Sequence, residues 1–396
     1  MRIVIAMDSF KGSMTSLEAG NAAKEGILER IPEAQVVVKP LADGGEGTLQ
    51  ALLSGLDAEL ISVEVQDPLG RAVTANYAIV TGPGQEKQAE GSKSCSGKTA
   101  IIEMAQAAGL TLLSEEERNP NKTSTFGVGQ MICDALERGC RDFIVGIGGS
   151  ATNDGGIGML RALGFRFYEK RGECVQNLKP DVNRIDGRFA RPELEDCTFR
   201  IACDVNNPLC GENGATFVYA GQKGLQPEEF GKTDLTMKQY AAAVARYTGK
   251  DLSCVAGAGA AGGMGFAFLS FLHGVLVPGA ELAMQVTGLA DCLREADVFL
   301  TGEGRMDGQT SMGKAPWIAA CEAKYINPEC RVYALTGQRS KEIQVGGEGA
   351  ESIFDGVWVI TPSGMSEVEA MQTKTAKENM RRTASELIDF ELKRRE

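Results

Sequence analysis

The sequence predicts an α/β protein in which a parallel-sheet domain, drawn from both ends of the chain, is interrupted by a second, inserted α/β domain. Three observations predict it. A strand–helix–strand alternation opens the chain between Ile3 and Lys39, the same alternation returns between Asp297 and Ile360, and the interval between them starts with a β-hairpin pattern. These changes assign residues 1–75 with 285–396 to the discontinuous domain and 76–284 to the insertion.

Taken in order, Ile3 to Met7 is an apolar run of strand length, followed by the polar loop Asp8 to Ser13. Thr15 with Glu18 three residues on is a capping box, so a helix starts there and runs to Pro32. Gln35 to Lys39 is the next strand, and a parallel pair with a right-handed crossover is expected. LADGGEGT (Leu41 to Thr48) follows, with another helix from about Leu49. The loops after both strands then share the carboxyl edge of one sheet, where ligands of open α/β sheets collect.

Leu60 to Val80 alternates around Asp67-Pro68-Leu69-Gly70 and reads as a hairpin, and Gly82 to Gly97 reads as an exposed loop. Ala100 to Leu110 is strand or helix, and Ser124 to Arg138 is a helix leading to a strand over Phe143 to Val145. Phe199 to Cys203 is a further strand, Gln226 to Tyr247 a charged helix, and Phe266 to Leu272 an apolar one. Strands at Asp297 to Thr301, Arg331 to Leu335 and Val357 to Ile360 complete the pattern; Pro316 opens a helix, and Ser366 to Lys393 forms the last one.

Composition narrows the function classes. With 396 residues, 43% of them hydrophobic and 24% charged, the chain is a soluble globular protein of two or three domains. A net charge of −12 argues against a nucleic-acid partner, which needs clustered Lys and Arg. The longest apolar run, Phe266 to Val277, is broken by Ser270, His273 and Gly274 and is too short to span a bilayer. The N-terminus reads as a strand rather than a signal peptide, so a cytoplasmic location with no membrane partner is expected. Eleven cysteines without a C-x-x-C pair read as reduced thiols. The single histidine, His273, rules out a two-histidine metal site and is expected as a packed or helix-end residue, which disfavours serine-hydrolase chemistry.

The chemistry concentrates in four stretches. RDFIVGIGGSATNDGGIG (Arg141 to Gly158) carries glycines at 146, 148, 149, 155 and 156, interleaved with Ser150, Thr152, Asn153 and Asp154, between a strand and a helix. That pattern points to an anion or phosphate site. LADGGEGT offers Asp43 and Glu46 to a metal or a hydroxyl nucleophile, or as a plain helix cap. Asp8 and Lys11 occupy the first loop as a base or metal ligand and a phosphate-reaching cation. GEGRMDGQTSMGKAP puts Glu303, Arg305, Asp307, Gln309 and Lys314 within one loop, the carboxylate and cation mixture that phosphoryl transfer needs. Two other glycine motifs carry less. GSKSCSGKT (Gly91 to Thr99) misses the P-loop spacing by one residue, and Gly257 to Gly262 matches G-x-G-x-x-G without a βαβ start.

Together SFKGS (Ser9 to Ser13), ADGGEGT (Ala42 to Thr48), GIGGSATNDGG (Gly146 to Gly156) and TGEGRMDGQT (Thr301 to Thr310) closely resemble the type I glycerate kinase family, in the family's order and over nearly the whole chain. The resemblance implies ATP- and Mg²⁺-dependent phosphorylation of D-glycerate, with 2-phosphoglycerate as the favoured product. It also implies a Rossmann-like or flavodoxin-like parallel-sheet domain interrupted by a second α/β domain, with the active site in the interdomain cleft. The resemblance supplies the substrate; the roles are read from the residue types themselves, and on that reading Asp8 or Asp43 is expected to orient or deprotonate the acceptor hydroxyl, and Lys11 and Arg305 to hold its carboxylate or the γ-phosphate. Asp154 and Asp204, or Glu303 and Asp307, hold Mg²⁺. Ser9, Gly44, Gly45, Glu46, Gly148, Gly149, Ser150, Gln309 and Lys314 contact substrate or phosphate. The competing readings are a kinase for another small hydroxy or sugar acid and a non-catalytic sensor of a phosphorylated metabolite. A homo-oligomer is compatible with all of them.

Overall fold

The computed structural model describes residues 1–10, 12–41, 58–81, 97–170, 172, 174–175, 182–308, 310, 313–340 and 353–395. The strands, in chain order, are β1 (Arg2–Met7), β2 (Gln35–Val38), β3 (Ala58–Gln66), β4 (Ala72–Thr81), β5 (Lys98–Glu103), β6 (Asp142–Gly146), β7 (Arg166–Glu169), β8 (Val182–Asp186), β9 (Thr198–Ala202), β10 (Val275–Val277), β11 (Val298–Met306), β12 (Arg331–Arg339) and β13 (Gly356–Val359). Two compact units result, one built from the described residues of 1–41 and 279–395, the other from those of 58–278.

The first unit is a parallel sheet of order β13-β12-β11-β1-β2, the flavodoxin-like arrangement. β1 is buried on both faces, which is why Ile3 to Met7 is apolar without alternation. Ile3, Ile5 and Met7 pack with Ala19, Ala23, Ile27 and Met380 on one face, and Val4 and Ala6 pack with Phe299, Ala319 and Val332 on the other. The helix Ser16–Arg30 starts at the expected capping box: Glu18 N–H donates to Thr15 Oγ1 at 3.3 Å, and Thr15 N–H donates to Glu18 Oε2 at 2.9 Å. It lies so close to the helix Thr373–Arg395 that a Cβ on Gly26 would stand 1.9 Å from the Arg381 carbonyl oxygen. The single helix expected over Ser366 to Lys393 is instead two, Glu367–Ala370 and Thr373–Arg395.

The second unit has a sheet of order β10-β9-β6-β5-β4-β3. β3 and β4 form the expected hairpin, in register from Ala58↔Val80 to Gln66↔Ala72. Its turn is fixed by Asp67 Oδ1, which accepts from the N–H groups of Leu69 at 2.8 Å and Arg71 at 2.9 Å. Residues 58–75 had been expected with the terminal segments. They belong instead to the second unit's sheet, because β4 continues the pairing onto β5. The middle of the chain also holds more βα grammar than its sequence suggests, since β5, β6, β9 and β10 pair in parallel. Phe143 and Phe199 stack across β6 and β9 with centroids 4.8 Å apart. No helix among the described residues is long and apolar enough to cross a membrane.

Candidate active site

The carboxyl ends of β1, β11, β12 and β13 lie side by side in the first unit, and residues at the ends of β11 and β12 and after β1 and β13 line one cavity of about 410 Å³. Strand order reverses between β1 and β11, so the cavity opens at the switch point of the sheet. Met7 pairs with Gly302, which brings the loop after β1 against the end of β11. Asp8 is 8% exposed there; its N–H donates to the Gly302 carbonyl at 2.8 Å, and its Oδ1 accepts from the Ser9 N–H at 2.6 Å.

Glu303 enters from β11 and is likewise buried. Its Oε1 accepts from Thr310 Oγ1 at 2.7 Å, and Lys314 Nζ lies 3.4 Å from Oε2 and 3.5 Å from Asp307 Oδ1. Burial pushes the Glu303 carboxyl up, against the pull of Thr310 and Lys314. The Thr310 hydroxyl also accepts from the Asp307 N–H at 3.1 Å, so one side chain fixes both the buried carboxylate and the turn beside it. Arg305 Nε stands 3.8 Å from Asp307 Oδ2, with the side chain largely exposed at the mouth. Lys314 precedes the helix Ala315–Ile326, whose second residue is the expected Pro316. Two cations and two carboxylates thus arise from one short segment, a donor set suited to a metal-bound phosphate chain.

The glycine-rich loop after β6 belongs to the second unit and is largely internal. Asp154 is 2% exposed, and its Oδ2 accepts from Thr125 N–H at 2.9 Å, Thr125 Oγ1 at 2.8 Å and Gly158 N–H at 3.2 Å. Its Oδ1 accepts from Gly156 N–H at 3.0 Å. Asp154 was expected to hold a metal; its oxygens here brace the loop from within. Gly155 and Gly156 have φ of +63° and +74°, and a Cβ on Gly156 would stand 2.3 Å from the Ala267 Cβ. These two glycines serve packing, whereas Gly148, Gly149 and Ser150 reach the surface. The tract Gly257 to Gly265 packs against this loop: Gly155 N–H donates to the Gly262 carbonyl at 2.9 Å. Ala261, Gly262 and Gly263 are all left-handed there, which interrupts the apolar helix Ala260–Phe271. His273 ends that helix, exposed and with φ of +51°.

Behind the loop lies Lys223, 3% exposed, whose Nζ donates to Ser150 Oγ and to the Thr152 carbonyl, both at 2.7 Å. Burial pushes its amine down to about 7. Thr152 Oγ1 and Asn153 Oδ1 are buried beside it without a partner among the described residues.

Of the residues expected to act, Asp8, Ser9, Glu303, Arg305 and Lys314 share the first unit's cavity, and Asp307 joins them through Lys314. Gly148, Gly149, Ser150, Asp154 and the exposed Asp204 sit on the second unit. Lys11, Asp43, Gly44, Gly45, Glu46 and Gln309 lie outside the described residues. Among the described residues no three His, Cys, Asp or Glu groups converge as a metal cage. Sequence reasoning missed Thr310, Gln338 and Lys223. Thr310 carried a local signal, three residues after Asp307; the Lys223–Ser150 contact spans 73 residues and carried none.

The family model described as the glycerate kinase family matches residues 3–391. The chain belongs to the glycerate kinase family. A glycerate kinase of Halalkalibacterium halodurans is 41% identical over 93% of this chain and 93% of its own length. A glycerate 2-kinase of Escherichia coli strain K12 is 38% identical over 89% of this chain and 90% of its own. A crystal structure of a protein from Salmonella typhimurium LT2, provisionally named glycerate kinase 2, superposes with a TM-score of 0.85 at 36% identity, each chain covered completely. As a member of a kinase family the chain takes a nucleotide as phosphoryl donor.

Proposed function

We propose that this protein transfers the γ-phosphoryl group of ATP to the 2-hydroxyl of D-glycerate. The observation that carries the reading is the convergence of Asp8, Glu303, Arg305 and Lys314 on one cavity at the switch point of the parallel sheet in a glycerate kinase family member. In the direct transfer, the hydroxyl oxygen forms a bond to the γ-phosphorus as the bond to the β-bridging oxygen breaks. ADP leaves with that electron pair, and the hydroxyl proton passes to a carboxylate. Asp8 takes that proton, and Asp43 is the second carboxylate the sequence offers for it. Arg305 and Lys314 stabilise charge on the equatorial oxygens, and Lys11 is the further cation the sequence offers for the acceptor's carboxylate or the γ-phosphate.

The donor set fits Mg²⁺ in the form phosphoryl transfer uses, with one or two carboxylates rather than a protein cage. Glu303 is a buried carboxylate raised by desolvation, which a divalent cation would relieve, and Asp307 shares Lys314 with it. These two residues would hold the ion, which supplies charge neutralisation to the phosphates.

The test is an ADP-release assay over D-glycerate and a panel of hydroxy and sugar acids, with and without Mg²⁺, and product identified by phosphorus NMR. D-Glycerate is expected to show the highest kcat/KM, with the phosphate on the C2 oxygen. Faster turnover of another acid moves the substrate assignment, and no turnover of any acid replaces the enzyme with a sensor.

A further inference from the structure

D-Glycerate is a three-carbon acid with no apolar face, yet one wall of the cavity is apolar. That wall comes from the segment after β13: Ile360, Met365, Ala370, Met371 and Ala376, with Glu367 its single charged residue. The cations and Asp8 enter from the β1 and β11 side, so the cavity is polarised across the strand order. From β1 to β13 there are three inter-strand spacings, roughly 14 Å, room for a nucleoside with its phosphates laid along the sheet edge.

The two methionines are placed rather than loose. Met365 Sδ accepts from Asn379 Nδ2 at 3.4 Å, and Asn379 is itself 4% exposed. Gly12, at φ of +79°, leaves space for Met371, whose Cε would stand 2.8 Å from a Cβ at that position. Met371 nevertheless keeps 42% of its surface exposed, an unpaired apolar side chain beside a charged floor. Two polar neutral side chains, Gln338 at the end of β12 and Thr361 after β13, face the same space. An apolar wall with a few convergent polar groups is the usual lining for a heteroaromatic ring, and thioethers pack well on aromatic faces.

We infer that the Met365–Met371 wall is the subsite for the base of the nucleotide donor, with Gln338 and Thr361 meeting its polar edge. The inference rests on the reading of this cavity as the phosphoryl-transfer site.

Calorimetry with ADP and with inorganic tripolyphosphate separates base from phosphate recognition. Met371→Glu and Ala370→Trp should each weaken ADP at least tenfold and leave tripolyphosphate within twofold. Equal loss of both ligands, or of neither, overturns the subsite. Irradiation of the wild-type protein with 8-azido-ADP should label the peptide spanning Ile360 to Ala376; labelling elsewhere overturns it as well. The two readings fail separately. Labelling elsewhere with Asp8→Asn and Glu303→Gln inactive removes the base subsite and keeps the reaction site, whereas labelling at the wall with both variants fully active does the reverse.

Discussion

Lys223 Nζ lies 2.7 Å from Ser150 Oγ, and this half-buried contact pins the tip of the second unit's glycine-rich loop. The same nitrogen donates to the Thr152 carbonyl at 2.7 Å. A neutral amine has two N–H donors, the number of acceptors it meets, whereas the charged form carries a third donor into a buried site. Desolvation therefore dominates and the amine falls to about 7.

That shift has a stability consequence with a definite sign. The unfolded lysine holds its proton up to its ordinary value near 10.4, while the folded one loses it at about 7. Between those values the unfolded state binds more protons, so stability rises with pH and is lost as pH falls back through 7. Relative to Lys223→Met, the wild-type protein should gain on the order of a few kcal/mol between pH 7 and 10. Denaturant melts of both proteins across that range measure it. A difference that stays flat with pH would show that Lys223 keeps its charge when buried.

A second prediction concerns the left-handed tract against this loop. Gly262 has φ of +68°, and an added Cβ would stand 2.1 Å from the Thr152 carbonyl oxygen. Gly70, in the hairpin turn, has φ of +85° with nothing within 4 Å of its Cβ position. Gly70→Ala should therefore cost only backbone strain, about 1–2 kcal/mol. Gly262→Ala adds a backbone collision and should cost at least about 2 kcal/mol more. Thermal melts of the pair isolate the steric part, and equal losses would refute it.

What the sequence revealed depended on how local the physics was. The capping box at Thr15 and Glu18 and the turn at Asp67 involve neighbours along the chain, and both were legible. The first unit's charges were legible because Glu303, Arg305, Asp307 and Lys314 lie within one short segment, from the end of β11 to the start of the next helix. Asp154 misled for a physical reason: the small polar residues that cradle an anion are also those that brace a tight loop. Its donors from Thr125 come from a helix start 29 residues away. The pairing of β5, β6 and β9 was obscured because β5 runs straight into a short helix with little turn chemistry between them.

Glu303 yields a prediction about the metal. It is 6% exposed and held between Thr310 and Lys314, so Glu303→Gln keeps the shape and the Thr310 contact but removes the charge. The Mg²⁺ concentration for half-maximal activity should rise at least tenfold, about 1.4 kcal/mol of lost binding. A Mg²⁺ titration at saturating ATP and D-glycerate measures it. An unchanged midpoint would assign the ion to other oxygens.

Arg305 separates charge stabilisation from folding. Its side chain is 70% exposed, and among the described residues it pairs with Asp307 at 3.8 Å, too long and too solvated to support the fold. Arg305→Ala should leave the melting temperature nearly unchanged. If the guanidinium binds the transferring phosphoryl group, kcat/KM should fall at least about a hundredfold, about 2.7 kcal/mol of transition-state stabilisation. Arg305→Lys keeps the charge and loses the planar fork, so its activity should fall between the two. A drop confined to KM would mean that Arg305 binds ground state and transition state equally. A loss under about threefold, less than 1 kcal/mol, would leave it as a solvated charge at the rim, with Lys314 as the cation that meets the phosphate.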